Sequence, residues 1–287
     1  DDVESRGLGD VYKRQILIFV ALPIVFSLLL GFTKWNPMQG LSAIEFTGME
    51  NFTRMVSDDR LKAALMNNFV YTFTYVPVSV CLALIIAVLL NKFVFCKVPL
   101  RLMCFMPYIS AMVSVAYVWL SLLNPEGGPV NSILSALGVK NLPGWFTKSN
   151  SALAGIIVMS IWHDAGYYMI IFLSALQGLS KEVYESARVD GANGLQTFFR
   201  ITVPMMASNI LFVSILATMN SFKVFDQINV LTEGGPGYST NVLVYCIYHY
   251  AFREHNIGYA SAVAVLLFLI IVIISAVQVK LKEKYTI

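Results

Sequence analysis

Charge is what this chain has least of: Asp, Glu, Lys and Arg together make 13% of its 287 residues. Soluble domains carry about 25%, so an ordinary water-exposed globule is excluded. No Gly-x-x-x-x-Gly-Lys-Ser/Thr loop occurs, so the chain has no such phosphate cradle with which to bind and hydrolyse ATP alone. It also lacks a His-x-x-x-His metal pair and a nucleophile elbow. A membrane-embedded enzyme would need a cluster of acids, bases or metal ligands that is missing here. The net charge of +3 is too small and too dispersed for nucleic acid. Cysteine is scarce as well. Cys81, Cys96, Cys104 and Cys246 have neither disulfide nor metal spacing and are read as apolar packing.

What is abundant is oil. Hydrophobic residues make 57% of the chain and mean hydropathy is +0.69, which marks an integral membrane protein. Charge-free runs at 16–33, 63–91, 102–125, 201–222 and 256–279 each reach about 30 Å as a helix. A further span is read at 152–179, interrupted by Asp164 beside His163. Lipid cannot solvate an acid, so Asp164 is expected to face the bundle interior or a water-filled path. The expected fold class is an all-α membrane protein with six transmembrane helices.

Basic residues orient it. Lys92, Lys97, Arg101, Lys181, Arg188, Arg200, Lys280, Lys282 and Lys284 gather on one side, in short loops and a tail. Those opposite, such as Arg54, Arg60 and Lys140, are spread over longer loops and offset by acids. Both termini are therefore expected in the cytoplasm.

The connecting segments carry signals of their own. A short amphipathic helix is expected within 35–62, and turns at 124–129 and 231–236. The apolar stretch 242–252 is too short to span and is read as a helix against the outer end of the bundle. Small residues at 258–262 permit close helix approach at the start of the last span.

Residues 185–204, Glu-Ser-Ala-Arg-Val-Asp-Gly-Ala-Asn-Gly-Leu-Gln-Thr-Phe-Phe-Arg-Ile-Thr-Val-Pro, form a polar island between two spans. Residues 182–189 can make a short helix, Gly191 a turn, and 195–200 a second helix, with Pro204 in the first turn of the next span. The product is a helix-turn-helix knob on the cytoplasmic side. Physics alone leaves two readings equal: a contact for a soluble partner, or an ordinary loop capped by Gly and Pro.

The island resembles the EAA loop of binding-protein-dependent ABC importer permeases. Glu185, Ala187, Asp190, Gly191, Ala192, Gln196, Phe198, Ile201, Thr202 and Pro204 fall in register with that pattern. Ser186 replaces the central Ala, and Leu195 stands where many sugar permeases carry Trp. Phe46-Thr-Gly-Met-Glu-Asn-Phe52, Leu231-Thr-Glu-Gly-Gly-Pro236 and Gly258-Tyr-Ala-Ser-Ala262 are similar to features of carbohydrate-uptake permeases related to the maltose MalF subunit. The Gly-Gly-Pro feature favours the MalF-like over the MalG-like member of the pair.

The resemblance covers roughly 16–284 and implies an ABC type I importer permease (MetI/MalF-like) fold over that transmembrane domain. It implies a second, MalG-like permease subunit, two ATP-binding subunits, an extracytoplasmic solute-binding protein, a carbohydrate substrate and a bacterial inner membrane. ATP and Mg would be used by the ATPase chains, with no cofactor bound here. ATP-driven closure of those chains would move the loop and switch the pore. Asp10-Val-Tyr-Lys-Arg-Gln15 resembles a translated sequencing-library adapter, so 1–15 is read as a non-native leader and its cations are left out of the topology.

For a solute path, His163, Asp164 and Tyr167 lie within little more than one turn, His163 and Tyr167 on one face. Asn220, Ser221 and Lys223 lie toward the outer half of the next span. Polar groups beside aromatic rings suit a sugar. The resemblance carries 163, 164, 167, 220, 221 and 224 onto sugar-contacting segments, although Val224 offers no hydrogen bond. The alternative is that these groups satisfy one another, and the spacing of Lys223 and Asp226 permits a local ion pair. The rivals are a glycerol 3-phosphate permease, for which a single lysine is thin provision, and an ion-coupled secondary transporter using Asp164, which should show internal repeats.

Overall fold

The computed structural model describes residues 14–92 and 97–285. Most of the 1–15 segment read from sequence as non-native, and Cys96, lie outside them. Helix α1, Arg14–Leu30, is apolar along its length. Strands Thr33–Lys34 and Glu45–Phe46 pair antiparallel behind it, with Thr33 opposite Phe46. The short helix expected in this segment is α2, Glu50–Met55. Its buried Asn51 donates to the Gly31 and Thr33 carbonyls at 2.9 and 2.8 Å. Those carbonyls lie at and just beyond the end of α1, where intrahelical partners run out, so the amide both satisfies them and seats α2.

The bundle follows. Helix α3, Asp59–Lys92, has 34 residues and runs about 50 Å at 1.5 Å per residue. Next come α4, Lys97–Ile109, α5, Met112–Leu122, α6, Pro129–Ala136, and α7, Ser149–Gln177. The polar island holds α8, Lys181–Val189, and α9, Gly194–Thr197. The remainder is α10, Ala207–Phe222, α11, Asp226–Leu231, α12, Leu243–Tyr248, and α13, Ile257–Tyr285.

Four segments, Asp59–Asn91, Ser149–Gln177, Ala207–Leu231 and Ile257–Leu281, are long and apolar enough to cross a membrane, and α1 is a shorter apolar helix. The run at 102–125, expected as one span, is α4 and α5, which are apolar enough together but bent by 96°. The break follows Pro107, and Ala111 is extended at ψ 125°. Pro offers no amide to the helical ladder, which weakens the turn around it. The span expected from 201 becomes regular only at Ala207. Phe198–Thr202 forms a wide π-helical turn, and Met206 leaves helical geometry at ψ 1°.

The core sits where α3 packs along α7 and α10. Tyr71, Tyr75, Met159, Tyr168, Met169 and Phe172 are all buried there. Gly166 sets how closely α4 approaches α7, because a Cβ on it would fall 1.9 Å from the Cys104 carbonyl oxygen. Of the apolar window in α7, 61% is buried, against 22% in α13, so α7 is central and α13 peripheral.

The two ends of the bundle differ. One holds the end of α3, the end of α7, and α8 with α9. The other holds the start of α3, the 231–241 loop, α12 and the start of α13. As expected from its length, 242–252 forms no span: α12 and the π-helical turn His249–Arg253 pack on α3 and α13 through Leu243, Cys246 and Tyr250. Asp58 ties this end together, accepting from the Tyr250 and Tyr259 hydroxyls, each at 2.7 Å. Burial pushes the Asp58 carboxyl up, but these hydroxyls and the Leu61 and Arg60 amides outweigh it and hold the group below its ordinary value.

Candidate functional site

The polar island folds by local rules. Helix α8 ends on Gly191, whose φ of +76° lies in the left-handed region, with open space where a side chain would start. The Ala192 amide reaches back to the Ala187 carbonyl at 2.9 Å and the Gly191 amide to Arg188 at 3.1 Å. That is the glycine-dependent helix stop that satisfies otherwise orphaned carbonyls. Asn193 then caps α9: its side chain accepts from the Gln196 amide at 2.8 Å, and the Gln196 side chain accepts from the Asn193 amide at 2.9 Å. The Asn-x-x-Gln spacing that signals this reciprocal cap was in the sequence, and Asn193 was not singled out from it. Pro204 sits in the first turn of Val203–Met205, where its missing amide costs nothing.

The knob has two faces. Ala187, Thr197 and Thr202 are buried against the bundle, and Phe198 packs on its core. Tyr184 and Thr202 hydroxyls lie 3.2 Å apart, linking α8 to the turn after α9. On the other face, Val189, Leu195 and Phe199 are 88, 72 and 65% exposed. Glu185, Asp190 and Gly191 are exposed too, while Ala192 and Ile201 are half-buried. Between the knob and the ends of α3 and α7 lies an open cavity of about 510 Å³, lined by residues including Val88, Leu176, Glu185 and Arg188.

A second polar cluster lies in mid-bundle. The Asp164 carboxylate accepts from the Tyr75 hydroxyl through one oxygen and from His163 Nδ1 at 2.6 Å through the other. Tyr75 and Tyr168 hydroxyls are 3.3 Å apart, and the Asn220 amide donates to Tyr168 at 3.2 Å. Asp164, His163 and Asn220, from α7 and α10, are thereby joined through α3. His163 Nε2 is buried and has no partner among the described residues. Tyr167 stacks on Tyr108 with ring centres 4.4 Å apart, and His163 lies 5.7 Å from the same ring. The shared face expected of residues 163 and 167 is thus built around Tyr108.

Two expected members stand apart. Ser221 is buried and turned to α3, 2.8 Å from the Thr72 hydroxyl. Lys223 is exposed and makes no ion pair with Asp226 among the described residues. The spacing rule needs a continuous helix. Here Lys223 sits at ψ 5° between α10 and α11, and Phe225 is also out of helical geometry. The participants that sequence reasoning missed are Tyr75, Tyr108 and Tyr168, the last of these read from sequence as a packing or interface residue. Tyr71 and Tyr75, four apart in an apolar span, were the available signal.

Comparison with known proteins agrees with this architecture. Residues 52–286 match the family described as binding-protein-dependent transport system inner membrane component. MsmF of Streptococcus mutans, a multiple sugar-binding transport system permease protein, is 33% identical over 271 residues, covering 94% of this chain and 91% of its own. The lactose transport system permease protein LacF of Rhizobium radiobacter is 33% identical over 269 residues, covering 92% of this chain and 88% of its own. In fold, the chain is similar to one in the crystal structure of a bacterial ABC transporter involved in importing the acidic polysaccharide alginate. The TM-score is 0.87, at 22% identity, over 99% of this chain and 96% of that one. With the family matched over most of its length, this chain belongs to the membrane-spanning components of binding-protein-dependent transport systems.

Proposed function

We propose that this chain is the permease subunit of an ATP-driven importer of carbohydrate, and that the 185–204 knob takes its energy from a separate ATPase. The observation that carries the coupling is the exposed Val189, Leu195 and Phe199 face on a knob fixed by Gly191 and the Asn193–Gln196 cap. Apolar side chains held rigidly in water mark a protein contact. The knob end is then cytoplasmic, as are both termini, and the opposite end faces the solute-binding protein. The assembly has a second, MalG-like permease and two ATPase subunits that use ATP and Mg. Glu185, Ala187, Asp190, Gly191, Ala192, Phe198, Ile201 and Pro204 form or brace the docking element. The chain itself performs no covalent chemistry.

The carbohydrate reading is supported by the two sugar-transport relatives and by the mid-bundle chemistry. Asn220 is exposed, and the stacked Tyr108 and Tyr167 rings offer an apolar plane for a sugar face. Asp164, His163 and Tyr75 hold one another and position Tyr168 and Asn220. Ser221 serves α3 packing, and Lys223 lies at the outer end of the path. Uptake by vesicles tests the reading: saccharide accumulation should require ATP and the ATPase subunits. Accumulation that persists without them, driven by an ion gradient, would replace it with a secondary transporter.

A further inference from the structure

The Leu231-to-Pro236 motif is not used by either site above, yet it builds a second polar pocket at the end of the bundle opposite the knob. This pocket has a volume of about 200 Å³ and is walled by the start of α3, the 233–241 loop and the turn after α12. The loop is rigid. Thr240 Oγ1 donates to the Gly235 carbonyl at 2.8 Å and lies 2.8 Å from Thr232 Oγ1. The Asn67 amide on α3 donates to the Tyr238 and Asn241 carbonyls at 2.8 and 2.9 Å. Glu233, at φ +49°, and Gly234, at φ +80°, hold left-handed geometry. A Cβ on Gly234 would lie 2.8 Å from the Tyr245 ring and 3.3 Å from Asn241 Oδ1, so glycine keeps the space beside both open.

The pocket's chemistry is mixed and near balance. Arg60 is already offset by Glu254 at 3.6 Å. Arg253 and Glu233, both exposed, form no ion pair among the described residues. Asn241 is 2% exposed, and its side-chain oxygen has no hydrogen-bond partner among the described residues. Tyr238 and Tyr245 add aromatic surface to the lining. An anion entering would meet Glu233, and a cation would meet Arg253. A neutral ring bearing hydroxyls can accept from arginine, donate to carboxylate and amide oxygens, and lay its apolar face on tyrosine. The volume lies below the roughly 300–1,000 Å³ of sites for drug-sized ligands, which suits one ring rather than a chain.

We infer that this loop forms a second saccharide subsite, for one neutral pyranose-sized ring, at the outer mouth and separate from the mid-bundle path. The inference rests on the carbohydrate reading. Its test uses the complex assembled with its permease and ATPase partners in nanodiscs, without the solute-binding protein. Glucose, galactose, xylose, maltotriose and glucuronate serve as probes by saturation-transfer NMR, alongside uptake of the same sugars by vesicles supplied with the solute-binding protein. A sugar that is taken up should show saturation transfer. Arg253→Ala should weaken its binding about tenfold, the loss of one charge-assisted hydrogen bond, and Gly234→Val, which fills the space beside Tyr245 and Asn241, should weaken it at least as much, while Lys140→Ala, at an exposed cation outside the pocket lining, keeps the signal. Arg253 is exposed, so its removal separates site loss from misfolding. The subsite is refuted by a signal that neither pocket variant changes, by uptake with no signal, or by tighter binding of glucuronate than of glucose. If no saccharide is bound or taken up, the carbohydrate reading falls and the subsite with it.

Discussion

At the knob end of the bundle the apolar side chains lie outside: Val189 and Leu195 are 88 and 72% exposed, while in mid-bundle the polar ones lie inside, with His163 at 5%. The knob reverses the usual order for water, whereas the mid-bundle order is the one that lipid imposes, because lipid cannot solvate an acid. The mid-bundle cluster is closed around Asp164, with His163 Nε2 left without a partner among the described residues. Asp164 has donors on both oxygens, and those donors come from α3 and α7. The knob is capped within its own backbone but leaves an apolar face exposed, which the proposed ATPase contact would cover. A buried polar group with its partners in place is a structural device that can also present groups to a path; a rigid exposed apolar face is half of an interface.

Breaking this comparison should give graded effects. The largest is expected for Asp164→Leu, which strands the Tyr75 hydroxyl and His163 in the bundle. Each buried donor left without its acceptor costs about 1–3 kcal/mol, and two are stranded, so thermal unfolding in nanodiscs should shift down clearly. Leu195→Ser should do the opposite. Its side chain touches little within the chain, so unfolding should not move, whereas affinity for the ATPase subunit should fall by about 2 kcal/mol. An unchanged affinity would remove Leu195 from the interface.

Gly191→Val is next. A side chain at positive φ costs about 1–2 kcal/mol, enough to cut uptake about tenfold at unchanged membrane levels if the knob's shape transmits the stroke. The smallest effect concerns pH at the outer end. Burial and the Arg60 charge hold the His249 imidazole below its ordinary 6.5, against the pull of Glu254. Its neutral form therefore favours the folded state, fully above 6.5 and progressively less as pH falls through the folded value. Asp58 also has a lowered value, so its contribution is lost only in stronger acid, below its ordinary 3.8. His249→Gln should flatten unfolding against pH just below 6.5 and leave the acid limb that belongs to Asp58.

The two regions also differ in how far they could be read from sequence. The knob is made of near neighbours: Gly191 needs its left-handed turn, Asn193 its partner three residues on, and Pro204 its first turn. Local chemistry decides each, so spacing revealed the helix-turn-helix form. The resemblance then decided between docking element and ordinary loop. The mid-bundle cluster is joined across chain separations of 89 residues for Tyr75 with Asp164 and 52 for Tyr168 with Asn220. Sequence located Asp164 and His163 as expensive residues in a span, but which helix answers them depends on how α3 packs on α7. The same limit accounts for Ser221, whose direction is set by Thr72 on α3, and for the bend after Pro107, where one apolar run hides two helices.

The 185–204 knob is proposed to seat on a separate ATPase chain. A photo-activated cross-linking residue placed at Leu195 in vesicles carrying the whole transport system addresses it directly. Irradiation should give an adduct between this chain and the ATPase subunit, and the adduct should block ATP-dependent uptake. Adducts formed only with lipid, or uptake undiminished by an ATPase adduct, would contradict the account.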